Sequence, residues 1–137
     1  MRQWKARKIM SLFVSFTVDN RLPKREAKAL AARLTTETGF ALFAAAGWFA
    51  RSTDCLVTTD SGDIFEDTSD GLVPAPGAAS QIQAVVTVLL ELSSTVAVSA
   101  GWMGGVKESV PVDFDDFIGF LHKGELAESV RYQVRRR

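Results

Sequence analysis

The chain has 137 residues, 47% of them apolar and 23% charged, with a single cysteine, Cys55. That is enough chain for one domain with its own hydrophobic core; the composition excludes an intrinsically disordered polymer, and a lone cysteine excludes an internal disulfide, which points to a cytoplasmic setting. The 16 bases and 16 acids cancel overall but are unevenly placed: residues 1–51 carry ten bases and three acids, residues 52–106 carry seven acids and no Lys or Arg, and residues 107–137 carry six of each.

Residues 1–9 form a basic tail that includes Trp4, and the apolar run after it has the outline of a secretory leader. The pattern favours a strand instead. Met10, Leu12, Val14, Phe16 and Val18 alternate with Ser11, Phe13, Ser15 and Thr17, and no small-residue cleavage site precedes Asp19. Lys24–Thr38 places Ala27, Leu30, Ala31 and Leu34 on one helical stripe, leaving Lys24, Arg25, Lys28 and Arg33 on or near the solvent side. A second strand is expected in Phe40–Arg51, with a bend at Gly47. Cys55–Thr59 and Ile64–Glu66 flank the turn residues Asp60, Ser61, Gly62 and Asp63, which predicts a hairpin there and a loop over 67–79.

Ser80, with Gln83 three residues on, has the form of a capping box opening an apolar helix. That helix leaves almost no polar face and should be covered on more than one side, yet it falls well short of the roughly 20 apolar residues a membrane span needs. Thr95–Ala100 alternates as a strand. Pro111 puts the extended segment Val106–Val112 at a sheet edge or a strand end. Asp113 is the expected N-cap of a short helix whose buried stripe is Phe117, Phe120 and Leu121. Ser129–Arg135 alternates as a final strand, and Arg135–Arg137 make a basic end.

The element order therefore predicts an α+β protein, a single domain over residues 10–134. Through Ala100 its order is that of a ferredoxin-like βαββαβ sandwich, an antiparallel sheet with two helices on one face, followed by a short helix and strand. Architecture of this kind hosts many unrelated activities, so function has to come from a site.

Catalytic and cofactor motifs are lacking. Cys55 and the single histidine, His122, fall in no nucleophile motif, and Gly101-Trp102-Met103-Gly104-Gly105 is neither a P-loop nor a dinucleotide fingerprint. The acidic series does not have EF-hand spacing, so no metal or cofactor is assigned. The expected function is that of a small non-enzymatic protein-binding module, of inhibitor or immunity type, engaging a basic protein through Asp60, Asp63, Glu66, Asp67 and Asp70, with Trp48 and Trp102 as glycine-flanked anchors. One alternative is nucleic-acid association through the basic N-terminal lobe and arginine tail. Another is a small-molecule enzyme or ligand sensor with a pocket near Trp48 and Trp102. Oligomeric state stays open, a dimer included. Glu91, late in the apolar helix, marks a place to look for function should it be buried without a partner.

Overall fold

The computed structural model describes residues 13–18, 24–39, 42–44, 55–58, 64–101 and 108–136. Expectations that fall on Trp4, Trp48, Asp60, Asp63 and Trp102, and on the basic tail, lie outside these residues.

Among the described residues, eight strands and three helices follow one another. β1 is Phe13–Val18, α1 Lys24–Thr38, β2 Leu42–Ala44, β3 Cys55–Thr58, β4 Phe65–Thr68, β5 Gly71–Pro74, α2 Ala78–Leu92, β6 Thr95–Gly101, β7 Glu108–Asp113, α3 Phe114–Lys123 and β8 Val130–Arg135. Six strands make one sheet in the order β2-β3-β1-β6-β8-β7. All neighbours in it are antiparallel except β7 and β8, which run parallel with α3 as their crossover. The protein is α+β, with a mixed sheet. Among the described residues no helix is long and apolar enough to cross a membrane.

The expected run of elements is corrected in two places. β4 does not return on β3; it pairs with β5 in a separate two-stranded ribbon, Thr68 opposite Gly71, so residues 71–74 are strand and not loop. The chain between β3 and α2 thus carries an inserted hairpin, and the sheet continues past β6 into β8 and β7, so the simple βαββαβ order is not what the chain follows. The local cause is turn chemistry at Ser69 and Asp70, where Thr68 Oγ1 donates to Gly71 O at 2.8 Å and accepts from Asp70 N–H at 3.2 Å. Phe65 and Leu72 are then buried while Glu66 and Val73, directly opposite one another, stay exposed.

α2 begins at Ala78, two residues before Ser80, with Gly77 at the N-cap and no side-chain cap bond. Ser80 is an exposed helical residue and not the cap. The helix buries Ala78, Ile82, Val85, Val86, Leu89 and Leu90. It is packed by α1 and α3 on its flanks and by β1 and β6 beneath. Glu91 is exposed, so it is not the buried orphan that would have marked a site. The C-terminal end of α2 is met by Arg136, whose Nη2 donates to Ser93 O at 3.0 Å, a cation where the helix dipole favours one.

Register sorts the sheet into two faces. Val14, Phe16 and Val18 on β1, Val96, Val98 and Ala100 on β6, Tyr132 and Val134 on β8 and Val112 on β7 are buried beneath the helices and the hairpin. Full burial of each such large apolar side chain stabilises by about 1.5–3 kcal/mol. The opposite face presents Ser15, Thr17, Ala97, Ser99, Arg131 and Gln133, and none of these is buried. β7 ends the sheet, which accommodates Pro111 without loss of an interior ladder bond.

Candidate functional site

The hairpin β4–β5 does not stand free. Leu72 N–H donates to Leu126 O at 2.8 Å and forms an antiparallel bridge with it, docking β5 on the segment that follows α3. Gly71 makes the approach close: its φ is 145°, and a Cβ there would lie 2.7 Å from Gly124 O and 2.9 Å from Leu126 O. At Gly124, which closes α3 with φ 74°, a Cβ would come within 2.9 Å of Val73 Cγ2. The two glycines face each other across one backbone crossing.

This crossing unites two acidic stretches that are far apart in sequence. From the hairpin come Glu66 and Asp70, exposed, with Asp67 opposite Leu72 in the ladder. From the segment after α3 come Glu125, exposed, and Glu128, half-buried. Val73 and Phe120, each 38% exposed, are two of the three large apolar residues exposed among the described ones. Val73 lies across the ladder from Glu66, and Phe120 O accepts the Glu125 N–H at 2.8 Å. Helical spacing puts Phe120 in the buried stripe of α3, but Phe117 and Leu121 fill that stripe and Phe120 is exposed. Lys123 is the base in this part of the chain.

The post-helix segment is held from below. Tyr132 Oη accepts the Ala127 N–H at 2.8 Å, and the Tyr132 ring tilts at 57° against Phe117 with centroids 5.9 Å apart. Tyr132→Phe should therefore cost about 0.5–1 kcal/mol, limited because Ala127 is exposed and its amide can turn to water. Urea unfolding of the two proteins measures the difference. Ser129, buried with φ 67°, closes this segment by donating its N–H to Ala100 O at 2.9 Å.

Other residues singled out from the sequence take separate positions. Asp113 is the N-cap of α3 but makes no side-chain cap bond; its Oδ1 accepts from Arg135 Nη2 at 3.1 Å. With both partners about half exposed, that ion pair is worth ~1 kcal/mol or less. Asp115 and Asp116 occupy the first turn of α3, where the dipole favours them. His122 is exposed, its Nε2 3.0 Å from Gln83 Oε1, tying α3 to α2. Cys55 is on β3, toward the far edge of the sheet from β7 and β8, over which α3 lies, so the fold does not bring the two into a dyad. Of the arginine tail, Arg135 belongs to β8 and pairs with Asp113, while Arg136 caps α2.

Among the described residues, no group of three or more His, Cys, Asp or Glu is arranged to hold a metal ion. A void between the hairpin, α2 and the sheet, lined by Val14, Phe65, Ile82 and Leu126, measures about 10 Å³, the size of one water, and its walls are apolar. It is too small to receive a substrate. No protein-family model, curated protein or solved structure matches this chain.

Proposed function

We propose that this protein is a non-enzymatic binding module, of inhibitor or immunity type, that engages a basic segment of another protein through the surface formed by the β4–β5 hairpin and the segment after α3. One observation carries the reading: the antiparallel bridge between Leu72 and Leu126 brings Glu125 alongside Val73, which lies across the β4–β5 ladder from Glu66, and all three are exposed. Acids steer a cationic partner and fix its orientation, whereas the two apolar side chains supply contact area that water would otherwise cover. Asp60, Asp63, Trp48 and Trp102 extend the proposal to residues beyond the described surface. We further read the antiparallel run β2-β3-β1-β6 with α1 and α2 as a ferredoxin-like unit to which hairpin, α3 and two strands are added. The presence of a single cysteine, Cys55, favours a cytoplasmic location.

The experiment is calorimetric titration with a synthetic amphipathic peptide of alternating lysines and leucines. The charge-reversed double variant Glu66→Lys with Asp70→Lys should weaken binding by about tenfold or more and flatten its dependence on ionic strength. Val73→Ser with Phe120→Ser should weaken it as well, but leave the salt dependence intact. Equal affinity for wild type and both variants would remove this surface from the account.

A further inference from the structure

The sheet face opposite the helices carries a second, chemically different feature. Ser15, Ser99, Arg131 and Ser109 stand in one register row across four adjacent strands, β1, β6, β8 and β7. At about 4.8 Å per strand the row is roughly 14 Å long. Ser15 and Ser99 are half-buried, Arg131 and Ser109 exposed, and among the described residues none of the four side chains has a hydrogen-bond or ion-pair partner. Arg131, near the start of β8, contrasts with the two arginines at its far end, since Arg135 is neutralised by Asp113 and Arg136 is spent on Ser93 O. The next row brings Thr17, Ala97, Gln133 and Pro111, again uncharged.

Charge decides what such a face fits. The one carboxylate on the described part of the face, Asp113, is already paired with Arg135, while Glu66, Asp70, Asp115 and Asp116 belong to elements packed on the other side. Among the described residues, what remains on this face is the Arg131 guanidinium, without an ion-pair partner and flanked in its row by the Ser99 and Ser109 hydroxyls. A guanidinium with hydroxyls beside it suits phosphate oxygens, and a row of hydrogen-bonding groups that crosses four strands suits a ligand with the length of a chain. Independently of the hairpin surface, we propose that this row binds the phosphodiester backbone of a single-stranded nucleic acid, with Arg131 on a phosphate, Ser99 and Ser109 donating to its oxygens or the adjacent sugar, and Gln133 facing the bases.

The test is fluorescence anisotropy of the whole protein with a labelled mixed-sequence single strand of about 12 nucleotides, beside the matching duplex and inorganic phosphate as competitor. Arg131→Ala should weaken single-strand binding by about tenfold and lower the slope of log K against log salt by about 0.7, the loss of one phosphate contact. Ser99→Val should weaken it without changing that slope. Arg33→Ala, which removes the same charge from an ion pair on α1, should bind as wild type does. The proposal fails if Arg131→Ala binds like wild type, if Arg33→Ala is equally impaired, if the duplex is preferred, if inorganic phosphate displaces the strand at comparable concentration, or if no probe binds.

Discussion

Replacing Gly71 by alanine should lower the unfolding free energy by about 2–4 kcal/mol, which for a domain of this size corresponds to a melting temperature lower by roughly 10 °C. Two costs add. The residue sits at φ 145°, where an L side chain is strained, and the new Cβ would lie 2.7 and 2.9 Å from the carbonyl oxygens of Gly124 and Leu126. Both neighbours are backbone, so no rotamer change relieves the contact. The crossing can open only by giving up the Leu72 N–H to Leu126 O bond and moving the hairpin off the segment after α3. Loss of stability should therefore be accompanied by weaker peptide binding even at temperatures where the variant is fully folded. Gly119→Ala serves as the control. Its Cβ would meet nothing within 4 Å, and inside α3 an alanine should be neutral or stabilising by up to about 1 kcal/mol. Thermal and urea denaturation of both variants separate steric conflict from a general effect of added methyl groups.

Phe117→Ala should cost more still, about 3–5 kcal/mol. The ring is fully buried and packs against Tyr132, itself the acceptor for the Ala127 amide, so truncation removes apolar burial and leaves a cavity under the segment that carries Glu125 and Glu128. A helix of ten residues anchored chiefly by Phe117 and Leu121 has few other contacts with which to close the gap. Phe117→Leu, which keeps most of the volume, should recover much of the loss, to within about 1.5 kcal/mol of wild type. The pair distinguishes packing from any special property of the aromatic ring.

Much of the scaffold was legible in the residues because burial imposes a period. The alternation at Val14, Phe16 and Val18 and at Val96, Val98 and Ala100 describes strands with one covered face, and the spacing of Ala27, Leu30, Ala31 and Leu34 describes a helix on that face. Partnering was not legible. Period two marks Phe65 and Leu72 as inward-facing once they are strands, but it does not say which strand β4 pairs with. The pairing with β5 goes with a Thr68-Ser69-Asp70-Gly71 turn that carries its own hydroxyl bonds. The signal that could have found it was the glycine directly after Asp70.

The candidate site was legible only by half. A base-free acidic stretch identifies Glu66, Asp67 and Asp70, but the placement of Glu125 alongside the hairpin depends on the bridge between Leu72 and Leu126, far apart in the chain, which no local pattern encodes. Phe120 was assigned inward because its spacing from Phe117 and Leu121 fits a helical stripe; with only ten residues in α3, a stripe two side chains wide meets the core and the third turns to solvent. The alternating strand Ser129–Arg135 was readable as having one wet face, yet the row that joins Ser15, Ser99, Arg131 and Ser109 needs the register of four strands.

Amide chemical-shift mapping during titration with the lysine–leucine peptide will show whether the hairpin and the post-helix segment act as one docking surface for a cationic partner. The expected shifts are concentrated in residues 65–74 and 116–128 and saturate together with a single affinity, with α1 and β6 unaffected. Shifts confined to one of the two segments, spread over the basic face of α1, or absent at peptide concentrations that saturate other acidic proteins would contradict a shared docking surface.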